Sequence, residues 1–309
     1  MASLPSPASL SADAVQQALN LYPALVEKAY RGKLKDSKKV ADALERDQWR
    51  YEDLPAAIAS MKPGGENEAK QPSSHADIVH GALTKNAVER LVQWKITHGH
   101  SRPFLPAMVR KNEPTAVQTQ TKLAWEKLQA PNTTAPPSTS TVTAALDLVC
   151  KLTGIGPATG TLILNVYDPV NIPFFQDEMF AWFFPATKGD KLKYTQKEYL
   201  QLLEVAQHAL KKLGLKAVEL EKISYVLGHM ELLLPTERKP LEDALMGIET
   251  KPLSEEGKQA AVLEDKEISS IQAEKRMSTK TGLKRASSKL EVDNSREPPP
   301  PKRRSQRIK

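Results

Sequence analysis

The stretch TVTAALDLVCKLTGIGPATGTLILNVYDPVNIPFFQDEMFAW, residues Thr141 to Trp182, decides the fold of this chain. An amphipathic segment leads into LTGIGPAT, and a second apolar segment follows it. Gly154 and Gly156 permit a tight turn because neither carries a Cβ atom, and Pro157 suits the first turn of a helix. The stretch therefore predicts two helices joined by a short glycine-rich hairpin.

The start of the second predicted helix is a candidate anion site. The first amide N–H groups of a helix have no partner within it and point at any anion placed there. A DNA phosphate is one natural occupant, and backbone amides bind it without reading the base sequence. A helix pair that merely packs through its glycines remains the alternative. The residues assigned to the phosphate contact are Thr153, Gly154, Ile155, Gly156, Ala158 and Thr159.

The composition is that of an ordinary globular protein, with 40% hydrophobic and 26% charged residues among 309. Cys150 is the one cysteine, which excludes internal disulfides and any four-cysteine iron–sulfur or zinc site. No apolar run approaches the roughly 18 residues that span a bilayer. We expect no membrane contact, no cofactor, no metal and a monomer. His98 and His100 flank Gly99 without a ligand-spaced cysteine or carboxylate, so we expect them to bond backbone groups at a helix end.

The net charge of +7 is confined to the end of the chain. Residues 280–309 carry ten Lys/Arg and three Asp/Glu, whereas residues 1–279 are neutral overall. A proline-rich basic terminus is typical of a signal read by a nuclear import receptor, which predicts a nuclear location. A generic basic tail that touches nucleic acid loosely is the alternative. The predicted import residues are Lys284, Arg285, Lys302, Arg303, Arg304 and Arg307.

Apolar residues recur at helical spacing through most of the chain, and no alternating strand pattern is found, so the predicted class is all-α. Residues 1–10 are predicted to be disordered. Residues 11–235 are predicted to form one multi-helix globular body with polar loops at about 62–74 and 130–140. Residues 236–309 are predicted to be a disordered charged tail, because the apolar periodicity fades there.

The hairpin stretch resembles the helix-hairpin-helix DNA glycosylase superfamily, of the endonuclease III and 8-oxoguanine glycosylase type. That family has an L-P-G-[VI]-G-x-x-[TV]-A hairpin followed by an aspartate at the start of another helix. Asp177 matches the aspartate and lies 19 residues past Ala158. Thr153 replaces the usual proline, and Gly160 stands where alanine is common. The hairpin residues that match are Leu152, Gly154, Ile155, Gly156 and Thr159.

The resemblance implies a protein that binds duplex DNA and removes a damaged base. The Asp177 carboxylate would stabilise the developing oxocarbenium charge or activate a water, once the base has been flipped out of the stack. Bifunctional members form a Schiff base through a hairpin lysine, and Ala158 occupies that position here, so a monofunctional glycosylase without lyase activity is implied.

Two alternatives to this function remain open. Asp177 can serve as a helix N-cap alone, because a cap and a catalytic carboxylate need the same residue. The neutral body and the missing lysine also fit a catalytically inactive adaptor that keeps the hairpin fold and binds protein partners. Glu178, directly after Asp177, has no assigned role.

Overall fold

A computed structural model describes residues 4–61, 77–129, 135–185 and 192–250. For residues 248–250 it describes the backbone alone. The described part is 73% helical and forms a globular body, which confirms the predicted all-α class. Within this part, no helix is long and apolar enough to cross a membrane.

The described helices are α1 (Ala12–Lys33), α2 (Ser37–Gln48), α3 (Leu54–Ser60), α4 (Lys85–His98), α5 (Leu105–Val109), α6 (Pro114–Leu128), α7 (Thr139–Val149), α8 (Pro157–Tyr167), α9 (Asp177–Phe183), α10 (Gln196–Leu213), α11 (Ala217–Gly228) and α12 (Pro235–Thr250). A π-helical turn, Trp49–Asp53, joins α2 to α3. Two short strands, β1 (Ile78–Val79) and β2 (Ala82–Leu83), pair in antiparallel fashion, so the expectation of no strand was wrong for this small hairpin.

The hairpin of the quoted stretch lies at the centre of the body. Helices α7 and α8 form its two arms, and every residue from Ala158 to Tyr167 is buried. A helix that is apolar on all sides needs neighbours on all sides, and α3, α4, α6, α7 and α10 surround α8. The loop between α7 and α8 is thereby held against a rigid core.

The start of the chain differs from its predicted disorder. Residues Pro7–Ser9 form a 3-10 turn, and Ala8 and Leu10 are buried in the core. The Trp182 indole N–H also donates to the Pro5 carbonyl at 3.0 Å. A few small apolar residues therefore order this segment by burial, which its polar composition concealed. Residues 1–3 lie outside the described part.

The predicted boundary at residue 235 is also wrong, because α12 begins there. Leu241, Ala244 and Leu245 are buried at helical spacing, and α12 packs against α1. The abundance of Glu and Lys in this segment masked one narrow apolar stripe. The import cluster and the loop at 62–74 lie outside the described residues, as do residues 130–134 of the second loop.

Candidate functional site

The hairpin turn is built around a glycine that no other residue could replace without strain. Gly154 has φ +80°, in the left-handed region. A Cβ atom added to it would lie 2.9 Å from Cβ of Met108 and 3.2 Å from Cγ2 of Val109. Both the backbone conformation and the contact with α5 therefore require glycine at this position.

A buried asparagine fixes the hairpin to the segment after α5. The Asn112 side-chain oxygen accepts from the Thr153 N–H at 2.7 Å, and its amide nitrogen donates to the Thr153 carbonyl at 2.9 Å. The same nitrogen donates to the Val109 carbonyl at 2.8 Å. We call this arrangement the asparagine clamp. Sequence reasoning missed it, because nothing local links positions 41 residues apart.

Three of the six amides assigned to the phosphate contact are already used. The asparagine clamp holds the Thr153 N–H, while the N–H groups of Ile155 and Thr159 donate to the carbonyls of Leu152 and Gly156 at 3.1 and 3.0 Å. A hydrogen-bonded amide is not available to a ligand without breaking that bond. The predicted backbone set is corrected accordingly, and these three amides leave it.

The N–H groups of the other three assigned residues remain available to a ligand. Within the described residues, no acceptor pairs with the N–H of Gly154, Gly156 or Ala158. Gly156 is exposed, and a Cβ atom added to it would meet nothing within 4 Å. Free amides at the start of a helix that faces open space are the elements of an anion site.

The Asp177 carboxylate does not cap its helix. Asp177 is the first residue of α9, whose N-cap position is Gln176 and has no side-chain cap bond, so the N-cap interpretation is wrong. Oδ2 of Asp177 instead lies 2.6 Å from Nδ1 of His100, whose side chain is 74% exposed. The Asp177 side chain itself is 27% exposed. His100 thus covers one oxygen of a partly exposed carboxylate.

Asp177 lines a small cavity beside α4 and α9. Its volume is about 30 Å³, room for about one water molecule. Pockets that bury whole small molecules are roughly ten times larger. A nucleobase therefore enters only if the covering side chains move. The lining residues are Lys95, His98, Gly99, His100, Arg102, Phe174, Phe175, Gln176, Asp177, Glu178 and Tyr194.

Two further groups in this cavity have shifted acidities. Burial lowers the pKa of Lys95, although the nearby Asp177 charge opposes the shift. Burial and the Asp177 charge raise the pKa of Tyr194 to about 12. Tyr194 also adopts φ +56°, a strained conformation of the kind that gathers at functional sites. The cavity thus combines a carboxylate, an amine that gives up its proton more readily than usual, and a phenol that stays protonated.

His98 does not bond the backbone at the helix end as expected. Its ring is 2% exposed and lies between the rings of Trp94 and Tyr225, at centroid distances of 4.6 and 4.0 Å. Nδ1 pairs with the Tyr30 hydroxyl at 3.1 Å, and burial holds the pKa of His98 well below its ordinary value. In the described part of the chain, no three His, Cys, Asp or Glu side chains are placed to hold a metal ion.

Glu178 acquires a structural role. Its Oε1 lies 2.9 Å from Nε2 of His229. Burial acts to raise the pKa of Glu178, but the hydrogen bond and charge of His229, together with hydrogen bonds from the backbone and Gln176, outweigh it, so the net shift is downward. Gly228 makes room for this side chain, because a Cβ atom there would lie 2.7 Å from the Glu178 Cγ. Glu178 therefore anchors the helix that carries Asp177 to the end of α11.

Ala158, at the position of the hairpin lysine of bifunctional glycosylases, has a buried side chain, at 7% exposure. Comparisons of the chain with protein-family models, with curated proteins and with solved structures found no match. The family resemblance of the hairpin stretch thus stays a prediction.

Proposed function

We propose that this chain is a nuclear DNA-binding protein that holds a duplex through backbone phosphates at the hairpin. The observation that carries the proposal is the set of three unpaired amides, those of Gly154, Gly156 and Ala158, at the start of a rigidly held helix. Aligned amides and the positive end of the helix dipole favour an anion there. The nuclear location rests on the basic terminal cluster alone.

The hairpin surface includes other features that suit DNA. Phe104 is 81% exposed, and Met108 on the same segment contacts the hairpin while remaining largely exposed. Lys111, directly before Asn112, and Lys151, two residues before Thr153, are both exposed. Apolar side chains that face solvent beside a phosphate site are typical of proteins that contact both backbone and bases.

The test is a substitution that changes only the open side of the turn. Gly156→Ala adds a methyl group with no neighbour within 4 Å, at φ −98° and ψ −177°, which alanine adopts without strain. We expect the variant to fold normally and to bind a short duplex about tenfold more weakly, because the methyl group occupies the phosphate position. The measurement is fluorescence anisotropy with residues 1–252, which form a compact unit and omit the basic terminus.

Gly32→Ala is the matched control, since it adds the same methyl group in open space on α1. Equal duplex affinity of the Gly156→Ala and Gly32→Ala variants would count against a phosphate role for the hairpin. In that case the alternative of an adaptor that uses the hairpin only for packing would gain.

A second candidate activity is N-glycosidic bond cleavage by Asp177, without a lyase step. It is supported by the position of the carboxylate, which is free of helix capping and lines a cavity with Lys95 and Tyr194. The cavity admits no base while His100 covers it, so base entry requires displacement of the 99–102 turn. Single-turnover incubation with a panel of damaged-base duplexes tests this, with Asp177→Asn as the comparison. Base release that is lost in Asp177→Asn supports the activity, and no release by the unaltered protein rejects it for that panel.

A further inference from the structure

A second concave feature lies beside α5. The cleft has a volume of about 260 Å³ and lies between α2, α4 and the end of α5. We call it the arginine cleft, because three of its six lining residues are arginines. The six lining residues are Arg46, Glu89, Arg90, Gln93, Pro106 and Arg110.

One of the three arginines is already committed within the protein. Arg90 pairs with Glu45, lies 3.7 Å from a carboxylate oxygen of Asp77, and stacks over the Trp49 ring at 4.1 Å. Arg90 therefore shapes the wall of the cleft and is largely neutralised.

Arg46 and Arg110 are not paired in this way. Within the described residues, neither guanidinium makes an ion pair or a side-chain hydrogen bond. Partial burial, followed by repulsion from Arg90, lowers the pKa of Arg46, although the nearby Glu45 and Asp42 charges oppose the shift. An anion in the cleft would relieve that repulsion. The ammonium of Lys85 donates to the Arg110 carbonyl at 2.7 Å and adds positive charge at the rim.

The arginine cleft and the hairpin share one short segment. Val109 contacts Gly154, and Asn112 clamps Thr153. Arg110 lies between them and is exposed. Two Cα steps separate Arg110 from Asn112, at most about 7.6 Å. Charges on one DNA strand recur every 3.4 Å or so along the helix axis, so a strand held at the hairpin carries further phosphates that Arg110, on the segment that contacts the hairpin, can approach.

We propose that the arginine cleft binds a second backbone phosphate of the same duplex, through the guanidinium groups of Arg46 and Arg110. This proposal rests on the proposed function of the hairpin. Guanidinium groups bind phosphate oxygens in pairs of parallel hydrogen bonds, and such contacts position a protein on DNA without reading its sequence. The cleft thereby sets the direction in which the backbone crosses α5.

The test uses the full chain and the salt dependence of duplex binding. Each phosphate contact contributes about 0.9 to the slope of log affinity against log salt concentration. We expect Arg46→Gln/Arg110→Gln to reduce this slope by about one unit, and to weaken binding at least tenfold at low salt, for every duplex sequence. Arg238→Gln is the control for loss of an arginine charge outside the cleft, because Arg238 lies on α12 and pairs with Glu242 at 3.0 Å.

The outcomes separate this inference from the proposed function. If Gly156→Ala weakens binding while the double arginine variant keeps the slope of the Arg238→Gln control, the cleft assignment is overturned and the hairpin assignment stands. If the unaltered chain does not bind duplex, both are overturned. If inorganic phosphate perturbs the Arg46 and Arg110 side-chain NMR signals, but duplex binding is unchanged in the double variant, the cleft takes its phosphate from another source, such as a phosphopeptide, and the DNA assignment fails.

Discussion

A Cβ atom at Gly160 would lie 2.5 Å from Cδ1 of Leu146 and 3.1 Å from Cγ2 of Val149, so the two hairpin arms touch through this residue. We predict that Gly160→Ala destabilises the protein by about 1–3 kcal/mol, because the added methyl group forces α7 and α8 apart. Urea denaturation measures the change. Gly32→Ala serves as control and should be neutral or slightly stabilising. Equal midpoints for the two variants would show that the arms separate freely.

His98 makes the stability depend on pH in the mildly acidic range. Its folded-state pKa lies well below the ordinary value of about 6.5, so the unfolded chain takes up a proton that the folded protein does not. Stability should therefore fall as the pH drops below about 6.5, by up to about 1.4 kcal/mol per pH unit. We predict a shallower fall for His98→Phe, which keeps a ring between Trp94 and Tyr225. The comparison is urea denaturation between about pH 6.5 and pH 5.

His229 acts in a different pH window. The hydrogen bond with Glu178 raises the pKa of His229 above its unfolded value. The stability that this hydrogen bond contributes is therefore fully present below about pH 6.5 and is lost as the pH rises through the folded pKa of His229. This contribution stays nearly constant between about pH 6.5 and pH 5, the range in which His98 is tested. A slope that is identical in the unaltered protein and in His98→Phe would contradict the assignment of the acid sensitivity to His98.

The residues of the candidate site were only partly readable from the sequence. Gly154, Gly156 and Asp177 could be found, because turns and helix starts have local signatures. Asn112 and Lys95 could not, because their partners lie far away in the chain. A local motif also does not show which hairpin amides are free, because the asparagine clamp determines this in part.

The asparagine clamp makes the hairpin and the segment after α5 one structural unit. We predict that Asn112→Ala lowers stability by about 1–3 kcal/mol, because the partly buried N–H and C=O of Thr153 lose their partners. Duplex affinity should fall as well, since the turn that carries the free amides is no longer fixed. Asn112→Asp is an informative second variant, because it keeps the acceptor for the Thr153 N–H and loses the donor. Denaturation and anisotropy with the same preparation check both effects.

Duplex affinity distinguishes a role of the asparagine clamp in the phosphate site from a role in packing alone. Leu241→Ala on α12 should lower stability at least as much through a cavity, by about 2–5 kcal/mol, at a site remote in sequence from the hairpin. We expect its duplex affinity to be unchanged under conditions in which it is folded. An Asn112→Ala protein that is destabilised but binds duplex as tightly as Leu241→Ala would show that the clamp serves the fold and not the phosphate site.

The helices themselves were largely predictable, and their ends less so. Ser11 caps α1, and Pro114 begins α6, as is typical of these residue types at helix starts. Pro23, however, lies inside α1 without ending it. The π-helical turn Trp49–Asp53 likewise continues directly into α3, although Pro55 follows it closely. Tertiary packing overrides local breaking signals where both sides of the break are buried.

Across the whole molecule, a buried polar network joins the early helices to the hairpin. The Arg50 guanidinium donates to Glu221 at 2.9 Å and to Asn165 of α8 at 2.7 Å, and the Tyr51 hydroxyl donates to the other Glu221 oxygen at 2.8 Å. The guanidinium also lies over the Trp94 ring at 4.6 Å. Loss of one partner from such a pair leaves an uncompensated buried charge. The hairpin is therefore positioned by residues more than a hundred positions before it, which no local pattern reveals.

The two ends of the described chain meet, and this determines where the folded body stops. Helix α12 buries Leu241, Ala244 and Leu245, and Lys28 of α1 pairs with Glu237. We predict that a chain ending at residue 234 is less stable than the full chain by about 3 kcal/mol or more, since each buried leucine contributes about 1.5–3 kcal/mol. A chain ending at residue 252 should match the full chain, because the compact unit ends there. Urea denaturation of the three lengths decides the matter: equal midpoints for 234 and 252 would return the boundary to the position that the fading periodicity suggested.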